Sequence, residues 1–379
     1  MNKKTLIFTS EFPPLPGGIG NHAYNLAEYL QQQGYQITVI TDQRHKNLEL
    51  DIDFDSKHAF KVVRIKRKNP AVITYISRIL KTFRQIQKHQ TVIASGKFPL
   101  WIVGLLSVLF RKKQFIVVLH GSELGAGGSK GQQLTKWCLK RYDKLIAVSN
   151  FTKELALQRQ AAVQIEVINN GFTPKLATSE NSFYKNGLSI ITVGNVTSRK
   201  GQQNVIKALP EIKKLYPEIC YHIVGLPTQK NEFQKLAQEL HVQDAVIFHG
   251  ALSDSELHQK MTEARMFFML SDHLSNGDVE GFGIAVLEAN HLGLPAIGSK
   301  NSGIADAIKD GYSGRLVHPH NPQEIAEAFS EIMNNYEYYS KNGPKTLDGR
   351  KSLPNTLKLL SDEKKKISHY IAYRTLQNS

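Results

Sequence analysis

Cysteine is almost missing from this sequence: two residues, Cys138 and Cys220, among 379. They lie far apart and outside any CxxC or Cys/His spacing, which argues against a disulfide framework and a structural zinc site and fits a reducing compartment. Long apolar runs are lacking too. The longest, residues 98–110, is thirteen residues, short of the roughly 20 a helix needs to cross a bilayer, so no integral membrane segment is expected. The first apolar run stops almost at once at Glu11 and two prolines, and reads as a β-strand, not a signal peptide. These features lead to the expectation of a cytoplasmic protein. No cluster of acids and histidines has metal-ligand spacing, so no metal ion is expected.

Negative charge is the third scarcity. No acid occurs between Ser56 and Ser122, where fourteen Lys and Arg do. The formal net charge is +15, and residues 1–185 carry all of the surplus, with 27 basic against 12 acidic residues. A one-sided basic surface of this length points to an anionic partner: phospholipid headgroups, a phosphorylated acceptor or nucleic acid. The aromatic-basic interleaving of a nucleic-acid module is not found, so no nucleic-acid partner is expected. Within this stretch, residues 72–87 place apolar side chains at helical spacing with Arg78, Lys81 and Arg84 interleaved. That pattern fits a helix lying on anionic lipid, and equally an amphipathic helix packed on a core. Peripheral association with a membrane's cytoplasmic face is the expectation.

The organisation is α/β. Short β-branched runs alternate with longer helical patterns, as in parallel sheets covered by helices. Strands are predicted over 5–9, 36–41, 61–65, 91–94, 115–119, 144–148 and 165–168, and again over 189–193, 220–224, 245–248, 266–270 and 295–298. Helices are predicted over 21–33 and 72–87. A turn-rich stretch without periodicity separates the two series. The expected domains are residues 1–170 and 188–335, joined by a linker at 171–187 and followed by a polar, irregular tail at 336–379. Two such sheets would face each other across a cleft at their carboxyl ends, where open α/β sheets bind ligands.

Four segments carry chemistry. Glu11-Phe-Pro-Pro-Leu-Pro-Gly-Gly-Ile-Gly-Asn-His, between a strand and a helix, lets backbone N–H groups approach a phosphate at Gly17 and Gly18, or is a tight loop capped by Asn21. His120, at a strand end in His120-Gly-Ser-Glu, is suited to a sugar hydroxyl or to proton transfer, or is a satisfied loop histidine. Val193-Gly-Asn-Val-Thr-Ser-Arg-Lys-Gly sets Arg199 and Lys200 at a helix start, a combination that stabilises a diphosphate; a plain surface pair is the alternative. Asp278-Val-Glu-Gly-Phe-Gly-Ile-Ala-Val-Leu-Glu-Ala-Asn holds Glu280 and Glu288 eight apart around a glycine-flanked helix start, whose N–H groups suit a phosphate or sugar oxygen.

With these in order, and with Val148-Ser-Asn, Ile168-Asn-Asn-Gly and Phe248-His-Gly between them, the chain over roughly residues 3–335 resembles glycosyltransferase family 4, retaining enzymes of the GT-B fold. The resemblance implies a fold of two Rossmann-like domains, the second holding a UDP- or GDP-sugar donor and the first a glycan or lipid-linked acceptor, with no cofactor beyond the co-substrate. It implies that Gly18 meets the donor diphosphate, His120 the transferred sugar, Lys200 the diphosphate, Glu280 the sugar hydroxyls and Glu288 the ribose. Gly281, Phe282, Gly283 and Ile284 would cradle sugar and phosphate, and Gly250, Ala251 and Leu252 would border the base. His120, Lys200 and Glu280 are the expected catalytic residues. The chain departs from the family at Asn195, where an arginine is usual, which leaves the diphosphate to Lys200 with Arg199 as substitute. It departs again after about residue 340, where the family's crossing helix is not matched. A non-hydrolysing nucleotide-sugar epimerase shares this architecture and donor, and is the alternative.

Overall fold

A computed structural model describes residues 4–15, 17–44, 48–125, 128–159, 164–171, 188–346, 354–356 and 358. The first domain is a seven-stranded parallel sheet of β1 (Lys4–Thr9), β2 (Gln36–Gln43), β3 (Lys61–Lys66), β4 (Thr91–Ser95), β5 (Gln114–Leu119), β6 (Lys144–Ala147) and β7 (Ile165–Val167), in the order β3-β2-β1-β4-β5-β6-β7. The second is a six-stranded parallel sheet of β8 (Ser189–Val193), β9 (Cys220–Val224), β10 (Val246–Gly250), β11 (Met266–Met269), β12 (Ala296–Ser299) and β13 (Gly314–Val317), in the order β10-β9-β8-β11-β12-β13. Central strands such as β5 are buried at every residue, which is why they read as unbroken apolar runs. All twelve predicted strands are present. β13 is short, with two polar or small residues in four, and leaves no readable period.

In each sheet the strand order reverses once, between β1 and β4 and between β8 and β11. At such a reversal the two neighbouring connections leave on opposite faces and open a crevice beyond the strand ends. The first three of the chemical segments adjoin these strands or β5, and the fourth follows β11.

Helix α1 (Gly18–Gln32) starts three residues earlier than its pattern predicts. The Asn21 amide donates to the Gly17 carbonyl at 2.9 Å, so Asn21 lies in the first turn and is not the cap. Gly17 holds that position and provides no side-chain bond to the turn.

The next three helices along the basic half are α2 (Leu48–Ser56), α3 (Ala71–Lys88) and α4 (Lys97–Leu106). α3 is inverted. Its inward positions are Thr74, Arg78, Thr82 and Ile86, whereas Val72, Ile76 and Leu80 are 58%, 51% and 50% exposed, beside exposed Ile73, Tyr75 and Ile79. Arg78, expected to face lipid, is buried and bonded to Asp42, with Nε to Oδ1 at 2.9 Å. The cause is Asp42 at the end of β2: a buried carboxylate needs a cation, and Arg78 turns the polar stripe of α3 inward.

Of the expected linker, all but Gly171 lies outside the described residues. The expected tail needs correction at its start. Helix Tyr336–Lys345 packs on helix Ile284–His291, with Tyr339, Ser340, Asn342 and Gly343 buried. Ser340 Oγ donates to the Gly293 carbonyl at 2.6 Å. Its buried face is largely polar and small, so no hydrophobic period announced it. Residues after 358 lie outside the description.

Candidate active site

A cleft of about 440 Å³ lies between the domains, at both reversal points. It is lined by Gly17 and Gly18 after β1, His120 after β5, Asn195, Arg199 and Lys200 after β8, and Glu280, Gly281, Phe282, Gly283, Ile284 and Glu288 after β11. Gly250 ends β10 and Ala251 and Leu252 follow it, two strands from the reversal, and the three do not line this cleft. Asp306 joins the domains: its Oδ2 accepts from Asn150 N and Nδ2, at 2.8 and 2.9 Å, and from Asn169 Nδ2 at 3.1 Å.

Two glycines allow the loops to meet. Gly201 has φ +81°, and a Cβ there would lie 1.7 Å from the Leu270 carbonyl oxygen. The turn carrying Arg199 and Lys200 therefore rests directly on the end of β11. Gly281 does the same between domains, since its Cβ would stand 1.7 Å from the His120 carbonyl oxygen. Two loops 161 positions apart are thus held backbone to backbone.

Glu280 is the centre of charge. Its Oε2 takes Lys200 Nζ at 2.8 Å and the Arg199 guanidinium, whose Nε also reaches Asp278 at 3.3 Å. Burial alone would push the Glu280 carboxyl up; the Lys200 ammonium and Arg199 guanidinium outweigh it and hold it down at about 2. Arg199 is correspondingly held in its charged form, chiefly by Glu280. Arg199, expected to substitute for the arginine missing at Asn195, is therefore already committed to two carboxylates. Glu288 lines the same cleft as Glu280. Glu280 lies in the loop before the helix Ile284–His291 and Glu288 within that helix, so loop and helix together bring both to the cleft.

His120 is buried, with Nε2 2.9 Å from Ser95 Oγ and its ring edge-on to His22 at 5.3 Å. Burial drives its pKa well down, with His22 adding to the effect, and His22 itself is lowered by burial to about 4. Both imidazoles are neutral near pH 7. His120 can hydrogen-bond a sugar there, but it holds no extra proton to give.

The His120 amide is fixed by Glu123, whose Oε1 accepts it at 2.5 Å while Oε2 has no hydrogen-bond partner among the described residues. Burial raises the Glu123 carboxyl to about 7, against backbone N–H groups that favour the anion. The folded chain therefore keeps this proton between pH 4.5 and 7, where the unfolded chain has lost it. The resulting stabilisation is complete below 4.5 and vanishes as pH rises through 7. A Glu123→Gln variant stays neutral, so its melting temperature should gain on the wild type between pH 5 and pH 8, by up to roughly 3 kcal/mol in stability. An equal difference at both pH values would discard this account.

The motifs contain Glu11, Asn21, Asn170 and Asp278 without assigning them to the cleft, and they miss Arg44 altogether; all five line it. Arg44 follows β2 directly. A charge just past the carboxyl end of a strand was the available signal.

Two family models divide the chain between them: Glycosyltransferase Family 4 matches residues 16–176 and Glycosyl transferases group 1 matches residues 177–346. The chain belongs to glycosyltransferase family 4. Its similarity to individual relatives is low but extends over most of its length. The GDP-mannose-dependent alpha-(1-6)-phosphatidylinositol monomannoside mannosyltransferase of Mycolicibacterium smegmatis is 25% identical, over 86% of this chain and 88% of that protein. Among solved structures, HepE of Anabaena in complex with UDP and glucose gives a TM-score of 0.77 at 17% identity, covering 95% of this chain and 98% of that one. The sucrose-phosphate synthase of Thermosynechococcus elongatus gives 0.77 at 19% identity over 99% of both. The fold is GT-B, and the protein is a glycosyltransferase.

Proposed function

We propose that this family 4 glycosyltransferase moves a hexosyl unit from a UDP- or GDP-sugar to a hydroxyl of a lipid-linked or glycan acceptor, with retention at the anomeric carbon. The observation that carries this is the buried Glu280 carboxylate between Lys200 and Arg199, facing a cleft at the reversal points of two sheets. A carboxylate held at about 2 is a weak nucleophile and a strong hydrogen-bond acceptor, suited to orienting sugar hydroxyls. As the anomeric C–O bond breaks, its electron pair stays on the diphosphate, where Lys200, Arg199 and the start of helix Ile284–His291 stabilise the added charge without need of a metal ion. The acceptor hydroxyl attacks from the same face and gives its proton to a diphosphate oxygen. Glu288 holds the ribose. Gly250, Ala251 and Leu252 border the base.

The names of relatives support a nucleotide-sugar donor and, for the M. smegmatis protein, a phosphatidylinositol monomannoside acceptor. An epimerase is not favoured, since both matching models describe transferases. A panel of UDP-, GDP- and ADP-sugars tests the reading by thermal shift: one nucleotide series should raise the melting temperature, and no response to any of them would reject it.

The same reading places the enzyme on the cytoplasmic face of a membrane. No described helix is long and apolar enough to cross one. α3 instead presents its aliphatic residues outward. It packs on α4 through a Tyr75–Phe98 contact and on the segment after α4 through Phe83–Phe110, and Leu105, Val108 and Leu109 are exposed. Arg84, Lys88, Arg111 and Lys112 are exposed around this patch. Each aliphatic side chain kept out of the acyl layer costs roughly 1.5 kcal/mol. Ile76→Ser with Leu80→Ser should therefore lower binding to anionic vesicles about a hundredfold with little change in melting temperature. Unchanged sedimentation would remove α3 from the interface.

A further inference from the structure

The cleft's cations are unevenly committed. Lys200 and Arg199 both pair with Glu280, and Arg199 also with Asp278. Asn195 brings no charge to this wall. In the first domain, the buried cations are answered as well: Arg78 by Asp42, and Arg64 by Asp51 and Asp55. Arg44 differs from all of these. It lines the cleft opposite Lys200, its Nη1 is buried with no hydrogen-bond partner, and no ion pair of Arg44 is found among the described residues. A Cβ placed on Gly17 would lie 3.5 Å from that Nη1, so the guanidinium rests against the loop that opens α1, beside Gly18.

A guanidinium nitrogen that has given up water without gaining an acceptor is poised for one, and its planar fork fits phosphate oxygens. We propose that Arg44 binds the donor diphosphate from the first domain, providing across the cleft the cationic contact that Asn195 cannot provide from the second. The inference rests on the donor reading above and extends it to a residue outside the recognised motifs. As the C–O bond to the anomeric carbon breaks, the departing diphosphate gains one negative charge. Arg44 meets that charge only with the two walls together, so it ties leaving-group stabilisation to the closed arrangement of the domains.

The test compares UDP with uridine, and GDP with guanosine, by calorimetry on the wild type, Arg44→Gln and Arg44→Lys. Arg44→Gln should bind the favoured diphosphate about ten- to a hundredfold more weakly and its nucleoside within about twofold of wild type, since the nucleoside lacks the phosphates. Arg44→Lys should recover part of the loss, because the charge returns without the fork. Equal diphosphate affinity in wild type and Arg44→Gln overturns the inference and leaves the donor reading standing. A loss confined to the acceptor KM, with diphosphate affinity unchanged, overturns it too and moves Arg44 to the acceptor. Failure of the wild type to bind either nucleotide overturns the donor reading and this inference with it.

Discussion

Glu280→Gln should reduce kcat by about 10²–10³-fold while nucleoside diphosphate binding holds or tightens. The two effects separate because Glu280 does two things. Its carboxylate accepts from Lys200 and Arg199, and in the proposed reaction it orients the transferred sugar. Glutamine is nearly the same size but cannot balance two cations, so these turn more fully toward a diphosphate. Its amide accepts hydrogen bonds more weakly than the carboxylate, which loosens the hydroxyls that orient the anomeric carbon. Single-turnover kinetics with a separate diphosphate titration reads both. Wild-type turnover in the variant would remove Glu280 from the site, and a trapped glycosyl-enzyme on the wild-type residue would replace the positioning role with a nucleophilic one.

The same substitution has a pH signature. The Glu280 pKa falls from its ordinary carboxylate value to about 2 on folding, so its contribution to stability is present above pH 4.5 and is lost as pH drops through 2. The wild type should lose roughly 3 kcal/mol over that window through this group, and Glu280→Gln should not.

Gly281→Ala is the second large effect, through backbone and not charge. The new Cβ would lie 1.7 Å from the His120 carbonyl oxygen, far inside contact distance, and neither partner is a flexible side-chain end. Either the loop carrying Glu280 or the loop carrying His120 has to move, which shifts the two walls of the cleft apart. A displacement near 1 Å at the reacting centre costs about 10²-fold in rate, and overpacking of this kind costs about 1–3 kcal/mol in stability. Gly18→Ala is the control, because nothing lies within 4 Å of its added Cβ. It should melt like the wild type and lose activity only as far as the diphosphate needs close backbone approach there. Normal turnover in Gly281→Ala would mean that the two loops part during the reaction cycle.

The alternation of short apolar runs with helical periods revealed twelve of the thirteen described strands, because strands covered on both faces must be apolar throughout. Glycines punctuating the strand ends, with the charged residues that follow them, located most of the cleft for a similarly local reason: close backbone approach and a helix start leave traces within a few residues. α3 shows where local reading stops. The helical period says which residues share a face, but not that Asp42, 36 positions away from Arg78, draws the polar face inward. The helix at Tyr336 was missed because its buried side relies on Ser340, Asn342 and Gly343, whose burial depends on hydrogen bonds and close packing, not on hydrophobicity.

By itself, then, the sequence determined the two parallel sheets, the basic first half and the family, all of which depend on neighbours in the chain or on fixed spacing. The tertiary structure alone decided which charges are committed and which are not. Arg199 is neutralised by Asp278 and Glu280, some 80 positions on, while Arg44 meets Gly17 and the cleft with its buried Nη1 lacking an acceptor among the described residues. Charge pairing falls off with distance in space and is blind to distance along the chain, so only the folded arrangement of the two domains could reveal it.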